Sequence, residues 1–176
     1  FVQGKIFVVA RKFSANCPGD ALQAVIDNAL PGDLISVRGT CNENVLVRND
    51  KTRLFLDGGG TATINGANPN FPVLDIRGKA VSVDGFIIAG GSNGIEVQRG
   101  ANAIIENNVI HNTGGDGVVV NQSAFAVLTT NTIQNNGGDG VVVREGAAAR
   151  IGGMTADCPG KEHRHSTHPL LRRSLP

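Results

Sequence analysis

The stretch NNVIHNTGGDGVVV (Asn107 to Val120) is written again, almost unchanged, as TNTIQNNGGDGVVV (Thr130 to Val143), 23 residues later. One more step of that length back from Gly114 reaches GSNGIEV (Gly91 to Val97), with the same glycine frame around Asn93 and the same apolar ending. Self-similarity at a fixed period of about 20 to 50 residues marks a repeat architecture, in which a small unit cannot bury its own apolar face and stacks on its neighbours to do so. No other property of the chain narrows the choice of folds as far.

Within one copy, apolar residues such as Ile105, Ile110, Val118 and Val120 alternate with polar ones, separated by Asn-rich and Gly-rich punctuation. A period of two means strand. No segment between Gly90 and Ala149 is both long enough and periodic enough for a helix, which disfavours leucine-rich, ankyrin and tetratricopeptide arrays. Aligning the copies gives four columns of constant chemistry: Val83, Ile105, Leu128, Ile151; Ile88, Ile110, Ile133; Ile95, Val118, Val141; and Val97, Val120, Val143. If each copy is one turn of a three-sided coil, equivalent residues stack about 4.8 Å apart and each column becomes an inward aliphatic ladder. The expected fold is all-β: a single-stranded parallel β-helix of about five coils. A fifth column, Phe86, Asn108 and Asn131, falls on the inner side, where a buried Asn must be satisfied. An asparagine ladder ended by the Phe86 ring is the expectation.

The one convincing helix lies in CPGDALQAVIDNALPGD (Cys17 to Asp33), where Leu22, Val25, Ile26 and Ala29 share a face. Asp20 is the expected N-cap, Gln23 takes the capping-box position, and Pro31-Gly32 stops the helix. Followed at once by strand-like LISV, it reads as a lid over the open end of the coil. The expected organisation is an N-terminal strand or extension (1–16), the cap (17–33), the coils (34–152) and an irregular, non-native or disordered tail (153–176).

Composition supports narrow turns and excludes several functions. With 24 Gly, 40% apolar and only 4% aromatic residues, and neither Trp nor Tyr, the chain suits thin stacked coils and is poor in sugar-stacking rings. A net charge of +1 argues against nucleic acid and anionic membranes as partners. No apolar run approaches the roughly 20 residues of a membrane span, and a start at Phe1 suggests a mature form or a fragment.

The run CPGDALQAVIDNALPGDLISVRGTCNENVLV, followed by LFLDGGGTATINGA and then NNVIHNTGGDGVVV, resembles the secreted right-handed parallel β-helix repeat proteins of bacteria, which share the pectate-lyase-like architecture. The resemblance covers residues 17 to 152 and implies the right hand and a secreted, periplasmic or cell-surface location. It is specific for fold, and relatives on this fold range from pectate and alginate lyases, hydrolases and epimerases to tailspikes and adhesins. Neither the acidic calcium cluster with an Arg base of the lyases nor the several Asp of the hydrolases is intact here. Spacing together with the resemblance suggests a Cys17–Cys41 disulfide, with Cys158 left over; the alternative is two buried thiols, and zinc is disfavoured for want of a neighbouring ligand.

Asp84 and Glu106 share a column next to Val83 and Ile105 and are expected to point outward about 5 Å apart, with Thr129 continuing the column. Such a pair suits a retaining glycosidase or a Ca²⁺ ion, but a solvated face is the reading favoured. For contact with polysaccharide the repeats offer only scattered Arg77, Arg99 and His111. Asp116 and Asp139, preceded by Asn93, form a second acidic stack inside glycine turns, explained by turn chemistry, with Ca²⁺ as the alternative and no other cofactor expected. His163, His165 and His168 of KEHRHSTHP invite a metal reading, yet they stand where the repeat has ended.

Two function classes remain. One is a non-catalytic extracytoplasmic module, scaffold or carbohydrate-contacting; the other is a polysaccharide lyase, glycoside hydrolase or epimerase acting on pectin- or alginate-like substrates. Short, regular turns between Gly91 and Ile151 leave no room for groove-walling loops and favour the first. The last coil edge, Val141 to Val143 and Ala149 to Ile151, is expected to be adhesive and to drive self-association.

Overall fold

The computed structural model describes residues 10–157. After β1 (Lys12–Asn16) and the helix α1 (Leu22–Asn28), every element is a strand: β2 (Leu34–Arg38), β3 (Thr40–Asn42), β4 (Val45–Val47), β5 (Phe55–Gly66), β6 (Leu74–Ile76), β7 (Val81–Gly90), β8 (Ile95–Val97), β9 (Asn102–Glu106), β10 (Val109–His111), β11 (Val118–Val120), β12 (Phe125–Thr129), β13 (Thr132–Gln134), β14 (Val141–Val143), β15 (Ala148–Gly152) and β16 (Thr155–Asp157). Pairing is parallel throughout, each strand bonding to its equivalent one turn away. The chain is a parallel β-helix of about six turns. β4, β6, β8, β11 and β14 form a separate 5-stranded sheet, the third face of the coil. The first and second faces join as an 11-stranded sheet because β5 and β7 bend through both.

All four aliphatic columns hold in register: Val83, Ile105, Leu128 and Ile151 pair in sequence, as do Ile88, Ile110 and Ile133, and the Val and Ile rows of β8, β11 and β14. Their members up to Ile133 are fully buried, so the core is a stack of small aliphatic layers, into which Phe86, 1% exposed, packs between Ala62 and the asparagine column. The asparagine column is present too. Asn108 Oδ1 accepts the Phe86 N–H at 2.9 Å, and Asn131 Oδ1 accepts the Asn108 N–H at 3.0 Å and the Asn108 amide at 3.1 Å. Each amide reaches along the stack to a turn whose backbone water cannot enter.

β5 breaks the period. Its register with β7 shifts between Asp57 and Ala62, and the extra residues are the glycines 58 to 60. Gly58 is required there, because a Cβ would stand 2.5 Å from the Gly85 carbonyl oxygen.

The cap is bound to the coil by chemistry that the sequence reading placed elsewhere. The helix is only seven residues long, its N-cap is Ala21, and Asp20 instead accepts the Asn16 N–H at 2.8 Å. The expected Asp20 cap is therefore replaced by one from a distant residue: Glu43 accepts the N–H groups of Leu22 at 2.7 Å and Gln23 at 3.0 Å through its two oxygens. Gln23, expected in a capping box, meets the edge of β4, accepting from the Leu46 N–H and donating to its carbonyl. At the other end the Lys51 ammonium donates to the carbonyls of Asp27 and Ala29. The Cys17–Cys41 disulfide is formed, with Cα atoms 5.0 Å apart, and joins the cap to the first coil. Asp33, nearly inaccessible, accepts from Arg11 and from the Leu30 N–H. Hydrogen bonding to Arg11, foremost, holds its carboxyl below the usual carboxylate range against the opposing effect of burial.

At the far end β16 pairs with β13, so the coil runs on past residue 152 into the segment expected to be irregular. Val143 and Ile151 are 42% and 52% exposed there. Cys158, His163, His165, His168 and the rest of the tail lie outside the described residues.

Candidate functional site

In VLVR and LDIR the arginine directly follows a strand of the third face, and in IEVQR it follows one residue later. Strand register fixes what that spacing does: Val47, Ile76 and Val97 are consecutive rungs, so Arg48 and Arg77 occupy one column, Gln98 the next rung, and Arg99 the position beside it. Arg99 has φ 59, a left-handed conformation that turns the chain toward the first face. Arg48, Arg77 and Arg99, with Leu46 and Asn49, line an open depression of about 360 Å³ on this corner. Successive rungs lie about 4.8 Å apart, so Arg48 and Arg77 stack along the coil axis, with Arg99 to the side of the next rung.

One of them is fixed in place. Asp75, 8% exposed, accepts from Arg77 Nε at 3.0 Å and Nη2 at 2.5 Å, and its other oxygen accepts from the Gln98 amide at 2.8 Å. The guanidinium pKa of Arg77 is raised first by that hydrogen bonding, with attraction from Asp75 and Glu96 added and burial opposing. Arg48 and Arg99 are exposed; Arg48 lies 3.9 Å from Asp27, a contact too long and solvated to hold it. A larger hollow of about 430 Å³ lies between β1 and α1, but its single charged group, Asp20, is already bonded to the Asn16 N–H.

The outward acidic column is longer than the sequence suggested. Asp57 pairs with Asp84 and Asp84 with Glu106, so three carboxylates stand on three consecutive coils, continued by Thr129. Asp84 accepts from the Asn107 amide at 2.8 Å and Asp57 from the Gly59 N–H at 2.9 Å. The carboxylates lie across the first face from the arginine corner. His111 lies on the outer side of β10 on the second face and joins neither group. Asp116 Oδ1 accepts the Asp139 N–H at 2.8 Å, and Asn93 Oδ1 likewise accepts the Asp116 N–H at 2.9 Å, so each side chain ties its turn to the next.

Cys17, Cys41 and Glu43 also lie together, but both sulfurs are in the disulfide and Glu43 caps the helix. Sequence reasoning missed Arg48, Asp57 and Asp75. The repeated arginine after a strand was a visible signal for Arg48. Asp57 was hidden by the glycine insertion that breaks the period, and Asp75 lies where the third face reads as apolar.

This coil is a right-handed parallel β-helix of the pectate-lyase-like architecture. Residues 73–157 match the family described as "Right handed beta helix region". Over 94 residues, 52% of the chain, the sequence is 35% identical to a cell surface glycoprotein of Methanothermus fervidus, and the match spans 15% of that protein's length. An alginate lyase from Paenibacillus sp. str. FPU-7 superposes with a TM-score of 0.71 at 20% identity, covering 84% of this chain and 58% of the lyase, a likeness of fold alone. No helix among the described residues is long and apolar enough to cross a membrane.

Proposed function

We propose that the protein is a non-catalytic extracellular β-helix module that contacts an acidic polysaccharide through Arg48, Arg77 and Arg99. The observation that carries this reading is the gathering of three arginines around one depression, Arg48 and Arg77 on adjacent rungs and Arg99 beside the next rung, with Arg77 pre-oriented by buried Asp75. Guanidinium groups bind carboxylates and sulfates through paired N–H donors, and a fixed one loses less freedom on binding. A flexible polyanion whose charges recur along its length can contact such a cluster. The Cys17–Cys41 disulfide and the surface location named for the Methanothermus fervidus relative favour an extracellular setting.

Affinity electrophoresis in gels containing polygalacturonate, alginate or a neutral glucan tests the reading. Retardation is expected in the acidic gels alone, with affinity falling about tenfold in Arg48→Gln or Arg99→Gln, as for one charge-assisted hydrogen bond. Equal mobility in all gels would overturn it.

A second reading has one observation in its favour, the alignment of Asp57, Asp84 and Glu106. It makes the first face a lyase or hydrolase site. Turnover of either polymer that disappears in both Asp84→Asn and Glu106→Gln would establish it in place of the first.

A further inference from the structure

Across the outer side of the first face, three consecutive coils present the same order of chemistry along the strand. Basic residues stand at the entry: Arg53, Lys79 and Arg99, all exposed. Acidic residues stand at the exit on the same coils: Asp57, Asp84 and Glu106. Among the described residues none of these six side chains forms an ion pair. Between the two edges runs an outward column in which Leu34, Phe55, Ser82, Ile104 and Val127 are successive rungs. Phe55 is 36% and Ile104 45% exposed, and Phe125, beside the column, is 43% exposed. The outer side of a solvated sheet ordinarily carries polar residues, so the exposed Phe55, Ile104 and Phe125, interrupted in the column only by Ser82, mark a contact surface.

We infer that this face pairs with the same face of a second copy, about a two-fold axis parallel to the coil axis. Such a rotation turns the partner's face toward the first and reverses its strand direction while leaving the coil level unchanged. The basic edge of each copy then faces the acidic edge of the other: Arg53 lies over Asp57 and Lys79 over Asp84, while Arg99, set further out on the turn before its strand, shares the level of Glu106. The exposed apolar residues meet in the middle. A two-fold axis along the strands would set acid on acid, so the charge order selects one dimer and rejects the other. The occupant is a second copy because the surface supplies its own complement in sign and in coil level, with the exposed apolar residues between the two edges.

The face is about 17 Å wide and 24 Å tall, judged from strand length and spacing. Each partner therefore contributes less than the roughly 800 Å² of a standard stable interface. The dimer is accordingly weak and depends on its charged edges. Those edges are screened as the Debye length falls from about 10 Å at 0.1 M salt to about 3 Å at 1 M.

Sedimentation velocity over a broad concentration series tests the inference. The protein should shift from monomer toward dimer at low salt and return to monomer in 1 M salt. The double variant Arg53→Glu/Lys79→Glu should be monomeric, since both edges become acidic, and Asp57→Lys/Asp84→Lys should be monomeric for the converse reason. An equimolar mixture of the two variants should recover the dimer, because each then carries the sign the other lacks. Circular dichroism of each variant confirms that the coil is intact. A monomeric wild type at every concentration would overturn the inference. So would a dimer that survives either double variant, which would place association elsewhere, such as at the last coil edge. A mixture of folded variants that stays monomeric would refute the proposed pairing of edges.

Discussion

Replacing Asn108 by alanine isolates what the asparagine column does. Asn108 is 1% exposed, and its side chain accepts the Phe86 N–H at 2.9 Å while donating to the carbonyls of Val83 at 3.0 Å and Glu106 at 2.8 Å and to Asn131 Oδ1 at 3.1 Å. Alanine removes all four bonds. The heaviest consequence is the Phe86 N–H, a donor left in a dry turn, at about 1–3 kcal/mol. The two carbonyls lose one acceptance each, and Asn131 Oδ1 keeps the Asn108 N–H, so those losses are smaller. Adding about 1 kcal/mol for the space of the missing amide gives about 2–4 kcal/mol in all. That is a large share of the roughly 5–15 kcal/mol that holds a typical domain together. The control is Asn42, an exposed outward residue whose Oδ1 accepts from the Asn65 amide at 2.9 Å; Asn42→Ala should cost no more than about 0.5 kcal/mol. Urea unfolding reads both as midpoint shifts at constant slope. Equal midpoints for the two variants would refute the claim that the column satisfies buried backbone.

Two further perturbations address the cap. Glu43→Ala removes the acceptor for two helix N–H groups and should lower stability by about 1–2 kcal/mol in the same urea assay; no change would mean that water caps the helix equally well. Asp33 has a folded pKa below its unfolded value, so its contribution is complete above the unfolded pKa of about 3.9 and is lost as pH falls through the folded one. Melting temperature should therefore fall on acidification below about pH 4, and Asp33→Asn, less stable at neutral pH, should show a flatter acid limb; identical limbs would remove Asp33 from the account.

Legibility followed periodicity. Where the repeat is intact, from Gly91 to Val143, the sequence alone placed every aliphatic column and the Asn108–Asn131 stack in observed register, because a fixed period leaves one way to align coils. Where it breaks, prediction failed for identifiable reasons. Local capping rules chose Asp20, but the winning acceptor, Glu43, comes from the coil beneath and cannot be seen in a window around the helix. The same holds for Lys51 at the other helix end. Of the three residues expected at a polysaccharide contact, Arg77 and Arg99 line one depression while His111 stands on the second face, because linear order does not say which of three faces a residue occupies.

The most direct test of the central claim is hydrogen-exchange footprinting with a polygalacturonate oligomer. Added protection is expected at the turns carrying Arg48, Arg77 and Arg99, with the strand ends at Asp57, Asp84 and Glu106 unchanged from the free protein. Protection centred on those three carboxylates, with the arginine turns unaltered, would contradict it and move the site to the first face.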